Sequence, residues 1–205
     1  MKNRYEHRPA VEDLTSGDYV YRTRTYTTSE EADAEYLTTG LFEKAGTIKK
    51  HDCKAVGTLL LDFDLKDWLV HKTDKSEATI KEMLRNSSDK ALLGKLMEFW
   101  EFIQENLPIA PTTVVCSGYG FHAYYWLDYD ADDFPEVLEV QSTNRSLVEY
   151  INDSVDFDLC DTAVINPGER VTRAPGSFNT KGGSKRLVKL VAKKDHKYKM
   201  DAFKS

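Results

Sequence analysis

The chain has 205 residues, 40% of them hydrophobic and 30% charged, the balance of a globular domain long enough to bury a core. A formal charge of −6 at pH 7 argues against a protein that coats nucleic acid. No apolar run approaches the ~20 residues of a membrane-spanning helix, the opening Met1-Lys2-Asn3-Arg4 is not a secretory signal, and Cys53, Cys116 and Cys160 lie too far apart for a zinc ribbon or disulfide framework; the expectation is a cytoplasmic protein with buried thiols and no membrane partner.

Residues 1–17 read as irregular. Residues 18–27 alternate polar with aromatic or β-branched side chains, which predicts a half-buried strand, and Thr28-Ser29-Glu30-Glu31 offers a helix cap with acids in the first turn. The first core strand is predicted over residues 55–64 (AVGTLLLDFD), too apolar to be an edge. Helices are predicted over 76–85 and 89–105. The second carries Leu92, Leu93, Leu96, Met97, Trp100 and Ile103 at three-and-four spacing, a single apolar stripe, and Asn106-Leu107-Pro108 ends it. A hairpin follows: a strand over 112–116, the turn Ser117-Gly118-Tyr119-Gly120, and a strand over 121–127. Residues 128–133 are an acidic loop, 144–155 a helix, 156–183 a turn-rich segment and 187–191 a last strand. Strands interleaved with helices, without an internal repeat, predict an α/β or α+β domain.

Three features carry chemistry. Asp62 and Asp64 are two apart at the end of the apolar strand, so both carboxylates face one side. Acids that close raise each other's proton affinity unless a cation lies between them, and hard oxygen ligands suit Mg²⁺ or Mn²⁺; a solvated strand end fits the same triplet. In the turn, Ser117, Gly118 and Gly120 let backbone approach a ligand, and exposed amides there can hold phosphate oxygens, with His122 just beyond on the strand face of Tyr124 and Trp126. An ordinary glycine turn beside a packed histidine fits equally. Third, the segment from Arg170 to Lys181 holds Arg173, Asn179 and Lys181, a fork, an amide and a point charge of the kinds that phosphate and sugar recognition use; a basic surface loop has the same composition. The basic residues Lys185, Arg186, Lys193, Lys194 and Lys197 follow, either a solvated face or a phosphate-tracking surface for nucleic acid.

The order of these features, a strand ending in DxD, then SGxGxH entering an aromatic strand, then an acid followed by RxxRxPGSxNxK, resembles the signature motifs of the archaeo-eukaryotic primases, in particular the primase-polymerase branch of phages, plasmids and mobile elements. The likeness runs from about residue 55 to 185. Asp62 and Asp64 are similar to its first metal motif, and Gly120 and His122 stand at its serine/glycine-x-histidine nucleotide motif. Asp161 resembles its third carboxylate, chosen over Asp156 and Asp158 for its spacing to Asn166-Pro167 and Arg170. Gly120 stands where many relatives carry serine.

The resemblance implies an RRM-like catalytic sheet packed with an N-terminal α/β lobe, in one catalytic domain over 1–205: lobe elements in 1–54, the core in 55–192 and a basic tail in 193–205. It implies a DNA primase/polymerase that transfers nucleotides from nucleoside triphosphates by a two-metal mechanism, with Asp62, Asp64 and Asp161 as ligands of Mg²⁺ or Mn²⁺. Ser117, Gly118, Gly120, His122, Arg173, Asn179 and Lys181 are then the expected nucleotide contacts. Partners implied are single-stranded DNA template, primer and nucleoside triphosphates. No ATPase P-loop is present, so a replicative helicase is expected in trans or on a part outside this sequence. Alternatives are a non-catalytic replication initiator or single-stranded-DNA binder of the same fold, and a DxD metal-dependent nuclease.

Overall fold

The computed structural model describes residues 23–25, 35–42, 53–129, 135–166, 170–181 and 184–204. In chain order the strands Thr23–Thr25 (β1), Glu35–Thr38 (β2), Gly40–Phe42 (β3), Cys53–Val56 (β4) and Thr58–Asp64 (β5) lead into the helices Leu65–Thr73 (α1), Glu77–Asn86 (α2) and Asp89–Asn106 (α3). The hairpin Thr113–Cys116 (β6) and Gly120–Trp126 (β7) is followed by helix Val137–Asp153 (α4) and the 3-10 turn Thr162–Ile165. Strands Val171–Arg173 (β8), Phe178–Asn179 (β9), Arg186–Leu187 (β10) and Lys189–Lys193 (β11) and a second 3-10 turn, Met200–Phe203, complete the described residues.

The main sheet has the order β11-β6-β7-β5 and is antiparallel throughout. Leu59, Leu61 and Phe63 of β5 pair with Tyr125, Ala123 and Phe121 of β7, and all six are buried, because this face is covered by helices. Phe121, for example, packs against Phe99 and Trp100 of α3 with ring centroids 6.1 and 5.0 Å away. Strand β8 returns to pair with β2, which also pairs with β1, so the basic loop is stitched to the N-terminal strands. The remaining expectations for residues 1–54, including the helix cap at 28–31, lie largely outside the described residues.

Both predicted helices after β5 form, each capped by the serine before it: Ser76 Oγ accepts the Thr79 amide, and Ser88 Oγ accepts the Ala91 amide. Four readings need correction. Strand β5, expected not to be an edge, is the terminal strand of the main sheet, and its apolar residues are buried by packing across the sheet and not by a second neighbouring strand. Helix α1 was not expected; its signal is Asp64, whose side chain accepts the Lys66 amide as N-cap, with Asp67 in the first turn and His71 and Lys72 in the last. Helix α4 begins at Val137 and not at residue 144, because no side chain caps it at Glu136 and the usual start signal is missing. The expected stripe of α3 is split: Leu92, Leu96, Phe99 and Ile103 are buried, whereas Leu93 and Met97 are 56% and 58% exposed, the buried face being rotated towards Phe99. Of the thiols, Cys160 is buried and Cys53 and Cys116 are half-buried.

Among the described residues no further strand pairs with the outer edge of β5, and its buried backbone groups need partners there. Asn144 of α4 supplies one, and Asn152 of the same helix anchors the chain that runs beside β5. Asn144, fully buried, accepts the Leu60 amide on Oδ1 (2.8 Å) and donates from Nδ2 to the Val164 carbonyl (2.9 Å). Asn152 bonds both backbone groups of Cys160, at 2.8 and 3.0 Å. Asn144→Ala should lower stability by about 2–4 kcal/mol, since an amide and a carbonyl would be buried unpaired. Urea unfolding checks this, and a loss below about 1 kcal/mol would contradict the bridging role.

Candidate active site

The register of β5 and β7 sets Asp62 opposite His122 and Asp64 opposite Gly120. Strand alternation then places Asp62, Asp64, His122 and Tyr124 on the face away from Phe63 and Phe121. His122 Nε2 lies 3.6 Å from Asp62 Oδ1. The third acid reaches this row through the backbone: the Asp161 amide donates to the Asp62 carbonyl at 2.8 Å, as a neighbouring strand would.

The acids differ in their surroundings. Asp64 Oδ1 accepts the Lys66 amide at 2.8 Å, and Asp161 Oδ1 caps the 3-10 turn by accepting the Ala163 amide at 2.8 Å. Burial raises the proton affinity of Asp62, and Asp161 adds to that, while His122, Lys181 and Arg170 oppose it. With 35% of its side chain open, solvent screens part of this penalty, but the direction stands. Asp64 is also shifted upward, by burial first, with Asp67 and Asp62 adding and the Lys66 amide opposing. Burial lowers the proton affinity of His122, helped by Arg173 and opposed by Asp62, so the imidazole is neutral at neutral pH. Its Nδ1 is buried and has no hydrogen-bond partner among the described residues.

Among the described residues no three His, Cys, Asp or Glu side chains stand in metal-ligating geometry, the side chains of Asp64 and Asp161 being turned to their caps. The donor chemistry is of the kind that suits a hard divalent cation: three carboxylates lie near one sheet edge, and Asp62 feels Asp161 and is felt by Asp64.

The glycine turn is closed on itself. The Ser117 amide donates to the Gly120 carbonyl at 2.9 Å, and Gly118 has φ +98°, where a Cβ would also meet the Arg186 Cβ at 2.9 Å. A Cβ on Gly120 would lie 2.0 Å from the Phe63 carbonyl oxygen. The close approach that demands glycine here is therefore strand to strand, and a serine hydroxyl at this position would displace β5. Asn179, expected as a ligand donor, is buried and committed: Nδ2 donates to the Ser117 carbonyl at 2.7 Å, and Oδ1 accepts the Lys181 amide at 3.0 Å. Arg186 is likewise engaged, with Asp89, with the Ser87 carbonyl at 2.9 Å and with the Tyr119 hydroxyl at 3.4 Å. Lys185 lies over the Phe178 ring, 4.4 Å from its centroid, and Lys193, Lys194 and Lys197 are exposed.

The cations fall into two groups around the acids. Arg173 in β8 acts on His122, and Lys181 and Arg170 act on Asp62. Beside Asp64 a cleft of about 310 Å³ is lined by Lys181 together with Lys66, Lys81, Leu84, Arg85 and Tyr119. Lys66, Lys81 and Arg85 were not singled out as site residues, because single basic residues in helices carry no motif, with only the i,i+4 spacing of Lys81 and Arg85 on one helix face to hint at a pair; Arg170 opens the RxxR motif but was given no role there.

A four-stranded antiparallel sheet with helices on one face and acids on the other, joined through β8 to N-terminal strands, is an α+β domain with the fold of the archaeo-eukaryotic primases. A solved structure, the AEP domain of the primase-polymerase (PrimPol) of cyanophage S-2L, is similar to this chain with a TM-score of 0.50, covering 83% of this chain and 68% of that one at 12% sequence identity. No protein-family model and no curated protein sequence matches the chain. No helix among the described residues is long and apolar enough to cross a membrane.

The raised proton affinity of Asp62 has a thermodynamic consequence. A folded-state value above the ordinary 3.8 means that folding takes up a proton between the two values, so the charged group opposes folding at all higher pH. Asp62→Asn should raise the melting temperature at neutral pH, and the gain should vanish as the pH falls through the folded-state value towards 3.8. A variant no more stable than the parent at neutral pH would contradict the assigned shift.

Proposed function

We propose that this chain is a DNA primase/polymerase catalytic domain that performs template-directed nucleotidyl transfer, with Asp62, Asp64 and Asp161 as the ligands of Mg²⁺ or Mn²⁺. The observation that carries this reading is the Asp161 to Asp62 backbone bond, which adds a third acid to the Asp62–His122 row on a fold shared with a primase-polymerase domain. When bound, the metal supplies positive charge that lowers the proton affinity of a primer 3′-hydroxyl and neutralises oxygens of the α-phosphate. In the reaction the 3′-oxygen bonds to the α-phosphorus, the bond from that phosphorus to the bridging oxygen breaks, pyrophosphate leaves and the hydroxyl proton passes to solvent.

The chain's own residues position these groups. Asp62 and Asp64 are held rigidly at the end of a buried strand, and the Asp161 backbone is bonded to that strand, which suits a reaction governed by alignment. His122, as a neutral imidazole, offers one N–H to a phosphate oxygen, and Arg173 beside it supplies the fork and the charge. Lys181 acts from the other side. Exposed Lys189, Lys193, Lys194 and Lys197 give a template strand a salt-dependent hold that is independent of sequence. A DNA binder without catalysis would gain nothing from keeping Asp62 and Asp64 half-buried against their proton affinity, and a nuclease has no need of a cationic cleft beyond Asp64.

Incorporation of labelled nucleotide on an oligonucleotide, with and without primer, tests the reading. Asp62→Ala and Asp64→Ala should each abolish incorporation with the fold retained, since losing a metal ligand removes several kcal/mol of barrier lowering. More than about a tenth of the parent rate in either variant would contradict the assignment. Oligonucleotide degradation in place of extension would point to the nuclease, and tight DNA binding with no incorporation to the initiator.

A further inference from the structure

Seven large hydrophobic side chains are exposed among the described residues, and four of them line a single groove: Leu93 and Met97 of α3, Leu187 of β10 and Val191 of β11. Scattered exposed apolar residues are ordinary on a soluble domain, whereas a contiguous set marks an interaction surface. The groove holds about 470 Å³ between α3 and the strands β10 and β11, and Leu92, Leu96, Trp100 and Phe121 form its floor. Phe121 points to the sheet face opposite the acids, so the groove lies on the other side of the sheet from Asp62, Asp64 and His122.

The groove is built into the fold. Helix α3 covers β7, where Phe99 and Trp100 pack on Phe121, but beyond it Cys116 of β6 is only half-buried and Val191 of β11 is exposed. A bulge in β11 between Leu190 and Ala192 leaves Val191 without a partner residue on β6, and Val191 lines the groove. Arg186 ties the β10 wall to the start of α3 by bonding Asp89 and the Ser87 carbonyl, so the gap is held open. Charge selects the occupant. Lys90, Lys185, Arg186 and Lys189 line the groove against one acid, Asp89, in a chain whose formal charge is −6. A symmetric pairing of two copies would set these positive rims face to face, and a nucleic-acid strand would meet aliphatic walls where it needs phosphate donors and flat rings. A peptide that inserts apolar side chains between Met97 and Val191 and presents carboxylates to Lys90 and Lys185 matches both the walls and the rim.

We infer that this groove docks a partner protein through a short acidic segment that carries large apolar side chains, on the face opposite the candidate active site. The apolar anchors supply the affinity, and the rim lysines set orientation and speed encounter. Because the groove and the acids lie on opposite faces of one sheet, the partner leaves the acids open to substrate. The inference does not rest on the nucleotidyl-transfer reading.

Fluorescence polarisation of the full chain with a labelled synthetic peptide, in which Leu and Phe alternate with pairs of Asp, tests the groove. The parent should bind this peptide and reject both a version with Lys for every Asp and one with Ser for every Leu and Phe. Leu93 and Met97 are exposed, so Leu93→Glu and Met97→Glu should keep the fold, which circular dichroism verifies. Each should weaken the acidic peptide at least about tenfold, and Lys90→Glu about three- to tenfold. Leu138→Glu, the same kind of change at an exposed position of α4, should leave peptide binding unaltered. Affinity for a single-stranded oligonucleotide should be the same in the parent and in Leu93→Glu and Met97→Glu. Peptide binding that Leu93→Glu and Met97→Glu do not alter, or a parallel loss of oligonucleotide binding, would overturn the inference. So would a parent dimer in sedimentation that Met97→Glu dissociates, since the groove would then belong to a second copy. The expected pattern in a chain that incorporates no nucleotide would support the groove while sinking the polymerase reading, and an active polymerase that ignores the acidic peptide would do the reverse.

Discussion

The candidate site depends on how helix α4 completes the open edge of strand β5. A strand with a free outer edge leaves amides and carbonyls that must be paired when buried. Here Asn144 takes the Leu60 amide and the Val164 carbonyl, and Asn152 takes both backbone groups of Cys160. Between those anchors the chain runs along β5 closely enough for the Asp161 amide to reach the Asp62 carbonyl. One helix thus brings an acid from about a hundred residues away in sequence to the end of the DxD strand. Asp161 itself stays exposed, and this backbone contact is what ties it to Asp62.

Electrostatics follow from this placement. Asp62 is shifted upward by burial and by Asp161, and His122 of β7 and the cations Lys181 and Arg170 of the segment after the third acid oppose the shift. The formal charge of −6 conceals this local balance. His122 answers in the opposite sense: buried between Asp62 and Arg173, it is held neutral and acts as a hydrogen-bond donor, not as a fixed cation. The structure thus departs from a picture in which every basic residue of the motifs meets phosphate. Asn179 and Arg186 instead fasten the turn and α2, and that fastening holds Lys181 and Arg85 where they are.

Much of the site was legible in the sequence where a short-range rule applied. The shared face of Asp62 and Asp64 follows from the period of a strand, and the tight SGYG turn sets the register of β6 on β7, although the pairing of His122 with Asp62 across β5 and β7 joins distant segments. Serine caps marked α2 and α3 almost to the residue. What could not be read depends on distant partners. Nothing in the local sequence tells that Asn144 bridges two backbones, that Asn179 is buried, or that Arg85 and Lys181 face the same cleft. Gly120 was read as a glycine that lets backbone approach a ligand, whereas the atom it makes room for, the Phe63 carbonyl oxygen, belongs to another strand. Helix α1 escaped because Asp64 does two jobs, ending a strand and capping a helix.

The central claim is that Asp161 joins Asp62 and Asp64 in one divalent-cation site through the contact that α4 enforces. Electron paramagnetic resonance titration of Mn²⁺ against the chain and its Asp161→Asn variant, each with a saturating non-hydrolysable nucleoside triphosphate analogue, tests it most directly. The account predicts protein-dependent Mn²⁺ binding that weakens at least tenfold in Asp161→Asn while Asp158→Asn leaves it unchanged. Equal Mn²⁺ affinity in the parent and Asp161→Asn, or a loss confined to Asp158→Asn, would contradict it.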